Sequence, residues 1–89
     1  MEDFKINGYK IHVSIKIPHL YETLPTYSYQ FLIFNKKGKL VNYPFSVIIA
    51  YDDYMFKTEL KKNFEKFVNY TKVKAIHAYP MSKFLESIS

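Results

Sequence analysis

The chain has 89 residues, a net charge of +5, and 48% hydrophobic against 24% charged residues. That composition excludes wholesale disorder and leaves room for one small domain, residues 1–89. It contains no Cys, which excludes a disulfide framework, a thiolate zinc site and a cysteine nucleophile.

Seventeen aromatic side chains, nine Tyr and eight Phe, supply the buried area that so small a domain needs. All thirteen basic residues are Lys, so recognition by bidentate Arg forks is absent and any anion binding rests on mobile point charges. The charge excess lies between residues 36 and 74; the segments on either side sum to zero.

Phe4-Lys5-Ile6-Asn7-Gly8-Tyr9-Lys10-Ile11 predicts a hairpin closed by a two-residue Asn-Gly turn. In that register Ile6 faces Tyr9 and Phe4 faces Ile11 on one side, with Lys5 opposite Lys10 on the other. Tyr9, Ile11, Val13, Ile15 and Ile17 alternate with Lys10, His12, Ser14 and Lys16. A period of two predicts a half-buried strand ending at Pro18. Residues 19–26 contain Pro25 and no periodicity, and read as a loop.

Tyr27–Phe34 predicts a second strand with Tyr27, Tyr29, Phe31 and Ile33 on one face and Ser28, Gln30, Leu32 and Phe34 on the other. Asn35-Lys36-Lys37-Gly38 predicts a type I turn with Gly in the left-handed position, closing a hairpin onto Leu40. The returning strand runs to about Tyr51, interrupted at Pro44. Its Val47-Ile48-Ile49 run reads as buried on both faces, the alternative being that residues 45–51 extend the next helix upstream.

Asp52 or Asp53 caps a helix running to about Tyr70, with Phe56, Leu60, Phe64, Phe67 and Val68 as its apolar stripe. Thr71–Tyr79 predicts a further strand. Pro80 opens a last helical turn or two, with Met81, Phe84, Leu85 and Ile88 at helical spacing. The sum is an α+β domain: a mostly antiparallel sheet of three to four strands, with one amphipathic helix packed on one face.

Most catalytic chemistry lacks its residues. Gly8 and Gly38 are the only glycines, which excludes a glycine-rich phosphate loop and a nucleophile elbow. His12, His19 and His77 stand at no metal-ligand spacing. Asp52 and Asp53 are the one carboxylate pair, and acidic residues at a helix N-terminus serve as caps more readily than as a metal or acid–base site. The single Glu-x-Lys triplet, Glu59-Leu60-Lys61, falls inside the helix. No catalytic residue, metal or cofactor is expected, and a metal-dependent enzyme using Asp52 and Asp53 is a distant third reading.

The expected function is therefore binding. Lys36, Lys37 and Lys39 crowd one hairpin tip, and Lys10 and Lys16 continue a positive strip along the first long strand. Tyr29 is a candidate stacking ring beside them. Together they suit the phosphate backbone of a nucleic acid. The alternative is a protein-interaction module, for example a small viral or mobile-element protein that binds and inhibits a host protein through a Tyr/Phe-rich surface. A second copy of the chain is a further candidate partner. No membrane partner is expected, since the longest apolar run, Val47 to Tyr51, is too short to cross a bilayer. With no secretory signal read at Met1–Lys5, a soluble, cytoplasmic protein is expected.

Overall fold

Asn7 and Gly8 both adopt positive φ (52° and 83°), the pair of left-handed conformations that a two-residue hairpin turn of this hand requires. They join β1 (Phe4–Ile6) to β2 (Tyr9–His19), with Phe4 opposite Ile11, Lys5 opposite Lys10 and Ile6 opposite Tyr9, the register expected from the sequence. The computed structural model describes residues 1–19, 25–69 and 75–78. Within them β2 pairs antiparallel with β3 (Thr26–Phe34), and β3 with β4 (Val47–Ala50). Two short helices, α1 (Asp53–Lys62) and α2 (Phe64–Asn69), then lead to β5 (Ala75–Ala78), which pairs parallel to β4. The α+β class holds. The sheet has five strands in the order β1-β2-β3-β4-β5, one more than expected, because three-residue β1 and four-residue β5 both pair.

The core follows from parity on β3. Its odd residues Tyr29, Phe31 and Ile33 are buried, as are Ile6, Ile11, Ile48 and Ala50 on neighbouring strands. They meet the helical stripe Phe56, Leu60, Phe64 and Phe67, all buried. Phe56 stacks on Tyr29 (ring centroids 4.5 Å apart, planes 11° apart) and meets the rings of Phe4 and Phe31 edge-on. Each such pair adds about 0.5–1.5 kcal/mol beyond the area it buries. Asp52 caps α1, its carboxylate accepting from the Met55 N–H at 2.8 Å. The predicted single helix is broken at Asn63, whose side chain donates to the Glu59 carbonyl (2.9 Å) while its own carbonyl accepts from the Lys66 N–H (3.0 Å). The apolar stripe survives the break.

A second departure lies in β2. Val13 pairs with Phe31 but Ile15 pairs with Gln30, so Ser14 is an extra residue, a β-bulge held by its hydroxyl donating to the Gln30 carbonyl at 3.1 Å. A slip of one residue exchanges the faces of everything beyond it. Ile15 and Ile17, expected to continue the buried side, are instead 45% and 52% exposed on the helix-free face. Lys16, expected on that outer face, crosses to the helix side opposite Tyr29.

The third lies between the turn and β4. Leu40 makes a single bridge to Phe34, and residues 41–46 are not a strand. The buried Asn42 side chain substitutes for one. Its amide oxygen accepts from the Ile33 N–H (2.8 Å) and its amide nitrogen donates to the carbonyls of Phe31 and Tyr43 (3.1 Å each). Residues 45–51 resolve as strand over Val47–Ala50, with Ile48 and Ala50 buried and Val47 and Ile49 half-buried. The predicted C-terminal helical turns at 80–88 lie outside the described residues. No helix among the described residues is long and apolar enough to cross a membrane.

Candidate nucleic-acid interface

In an antiparallel meander, alternate turns fall at the same end. The β1–β2 turn and the β3–β4 turn are therefore neighbours, and both are basic. The second turn is built as expected: the Gly38 N–H donates to the Asn35 carbonyl (2.9 Å), and Gly38 has φ of 81°. The Asn35 side chain accepts from the N–H groups of Lys37 and Lys39, at 2.9 Å each. That cage holds the Lys37 and Lys39 backbones in place, and the three lysines of the turn are exposed.

Between the two tips lies an open depression of about 430 Å3, with Lys5, Lys10 and Lys36 around it and Phe34 lining it. A second, of about 410 Å3, is lined by Asn7, Tyr9 and Lys37 and shares Asn35 and Lys36 with the first. Lys36 lies across the gap between the tips, close enough to Gly8 that a Cβ there would stand 2.6 Å from its Cε. Glycine at position 8 thus serves both the turn and the passage of this lysine.

The electrostatics are one-sided. Lys5 and Lys10 face each other directly across the ladder, a like-charge placement that costs a few tenths of a kcal/mol. Among the described residues Lys5, Lys36, Lys37 and Lys39 form no ion pair. Asp3 approaches Lys10 at 3.9 Å but is engaged more closely by His12 Nδ1 at 2.8 Å. The Lys10 ammonium instead sits 5.3 Å from the centroid of the Phe34 ring.

The expected residues divide into two groups. Lys10, Lys36, Lys37 and Lys39 come together at this end, joined by Lys5. Lys16 and Tyr29 do not. Tyr29 has no exposed surface; sandwiched on Phe56, it has no face free for a base, which corrects its reading as a stacking ring. Lys16 is tied to Asp53, Nζ to Oδ1 at 3.0 Å, and its ammonium lies 4.4 Å from the Tyr27 ring centroid. The Ser14 bulge is what removes it from the outer strip.

Asp53 Oδ1 also accepts from the Tyr29 hydroxyl at 2.8 Å. Its carboxyl is held below the ordinary value chiefly by the Lys16 hydrogen bond, against an opposing push from burial, and further by the Tyr29 bond. The Tyr29 phenol is pushed well above its ordinary value, first by burial and then by the same Asp53 carboxylate. This network fastens β2 and β3 to the start of α1. Asp52 and Asp53 each have a protein partner, one capping the helix and the other anchoring the sheet.

Neither Tyr9, on the apolar side of the first long strand, nor Phe34, on the second face of the next, is among the site residues expected from the sequence. The signal was available in the meander rule, which places positions 9 and 34 beside the two turns. Searches against protein-family models, curated proteins and solved structures find no match for this chain.

Proposed function

We propose that this protein is a small, basic, non-enzymatic binding module that grips the phosphate backbone of a nucleic acid between its two hairpin tips. The observation that carries this reading is the gathering of Lys5, Lys10 and Lys36 around one open depression, with Lys37 and Lys39 beside it and almost no acidic compensation. Concentrating like charge costs stability, and an anionic partner releases that cost along with its own counterions. Lys without Arg suits contacts that follow phosphates without reading bases.

The test is fluorescence anisotropy with labelled single- and double-stranded DNA and RNA at two or more salt concentrations. Binding should weaken steeply with salt. Replacing Lys36, Lys37 and Lys39 together by Gln should reduce the log–log salt slope by about 2 if all three meet phosphates on a single strand. No binding to any of the four probes at low salt would sink the reading.

A second reading draws on a different observation. Ile15 and Ile17 are exposed on the helix-free face, with half-buried Val47 and Ile49 on the far side of Gln30 and Ser28, and exposed apolar side chains of this kind suit a protein partner or a second copy. Sedimentation equilibrium of the wild type against Ile15→Thr/Ile17→Thr tests the second copy: a dimer lost in the variant supports it, and a monomer at all concentrations removes it.

A further inference from the structure

The two depressions at the hairpin end have the same make-up on opposite faces of the sheet. The first holds a half-buried ring, Phe34, with Lys5 and Lys10. By register all three lie on the helix-free face, with Leu32 and His12. The second holds another half-buried ring, Tyr9, with Lys37 and the Asn7 amide. It opens on the helix side, where Tyr9 meets Phe64 edge-on with ring centroids 5.1 Å apart. Lys36 lines both depressions and lies across Gly8 at the rim between them. The order along the surface is ring, cation, ring.

That order matches a single strand of nucleic acid and does not match a duplex. In a single strand, successive bases are free to turn apart while one phosphate links them; in a duplex the bases are stacked inside and present only backbone to such a surface. Each volume is near the lower end of what small-molecule pockets offer, which suits one nucleotide. The Lys10 ammonium lies over the first ring, 5.3 Å from its centroid, a cation that an arriving base displaces toward the phosphates.

We infer that the hairpin end is a site for single-stranded nucleic acid, in which one base stacks on Phe34, the next on Tyr9, and the phosphate between them is held by Lys36. The inference rests on the nucleic-acid reading above and adds strandedness and two stacking positions to it. The strand wraps the end of the sheet, passing from the helix-free face to the helix side at Gly8. Sequence preference is weak, because stacking accepts any base and lysine ammoniums read none.

The experiment compares anisotropy titrations of oligo-dT and oligo-rU, each eight nucleotides long, with a duplex of the same length at one salt concentration. The wild type should bind the single strands at least tenfold more tightly than the duplex. Phe34→Leu, which keeps the apolar contact but removes the aromatic face, should weaken single-strand binding about tenfold with the salt slope unchanged. Lys36→Gln should lower that slope.

Tyr9→Leu also loses the Phe64 contact, so a second readout avoids dependence on its folding. The chain has no Trp, and Phe34→Trp installs a single Trp, excited selectively over the nine Tyr, whose emission a stacked base must quench on titration with oligo-dT. Equal affinity for duplex and single strand, or full binding by Phe34→Leu with no quenching of the Trp, overturns the stacking site while leaving the phosphate-binding reading intact. Absence of binding to every probe overturns both.

Discussion

Removing the Asn42 side chain tests whether one amide can stand in for a length of β-strand. In Asn42→Ala, three hydrogen bonds disappear. The Tyr43 carbonyl keeps other donors, the Ser46 N–H at 3.0 Å and the Ser46 hydroxyl at 2.6 Å, so it is not orphaned. The Ile33 N–H and the Phe31 carbonyl lose the Asn42 partners that satisfy them in a buried part of the sheet. Each buried group left unpaired costs about 1–3 kcal/mol, so the variant should lose about 2–6 kcal/mol. A domain of this size has only about 5–15 kcal/mol in total, and the melting temperature should fall by at least roughly 8 °C.

Asn35→Ala is the control. It also removes a side-chain oxygen that accepts two backbone N–H bonds, but at the exposed turn, where water replaces it. The two variants, followed by circular dichroism in urea and on heating, should differ by more than about 1 kcal/mol. A cost for Asn42→Ala that is below about 1 kcal/mol, or equal to that of Asn35→Ala, would refute the argument that burial decides the value of these bonds.

Four further outcomes follow from the packing, the charged network and the first turn. Because Asp53 titrates below its unfolded value, its contribution is complete above about pH 4 and is lost as pH falls through the folded value; Asp53→Asn should be less stable than wild type at neutral pH, with the gap closing in acid. Tyr29 is shifted the other way, so the folded chain keeps a proton that the unfolded chain releases above about pH 10. Urea midpoints should therefore fall on that alkaline limb, and fall less steeply in Tyr29→Phe. Phe56→Ala, deleting a ring buried against Phe4, Tyr29 and Phe31, should cost about 3–5 kcal/mol by the same melts. Gly8→Ala should cost about 1–2 kcal/mol from its positive φ, and nucleic-acid affinity measured beside stability should fall as Lys36 is pushed from the gap.

Local signals carried much of the fold. The Asn-Gly dipeptide and the alternation around it determine the β1–β2 register; the Asn35 and Gly38 pair determines the basic turn; Asp52 and the Phe56-Leu60-Phe64-Phe67 spacing determine the helical layer and the stripe it buries. What escaped were features in which the pattern is silent. Ile15 and Ile17 continue the alternation of Tyr9, Ile11 and Val13 through the Ser14 bulge, so the letters alone do not mark where the faces exchange. Asn42 looks like one more polar loop residue until its amide is seen in the ladder. Tyr29 was misjudged because an apolar strand with two greasy faces does not say which face the helices take. For the candidate site, the lysines were legible one by one, and their convergence needed the meander to bring two turns together.

The bulge at Ser14 also gives β2 something like a reading frame. Up to Val13, the odd positions lie on the helix side and the even ones on the helix-free face; from Ile15 onward the faces are exchanged, with Lys16 reaching Asp53 on the helix side. Deleting Ser14 would remove the bulge and leave Ile15 opposite Gln30 and Lys16 opposite Tyr29. A frameshift in space comes instead from keeping Ser14 and pairing it regularly with Gln30, which would return Ile15 and Ile17 to the helix side and expel Lys16 from its partners. Any grafting or redesign of this strand must therefore either keep the bulge with its extra residue or drop both together.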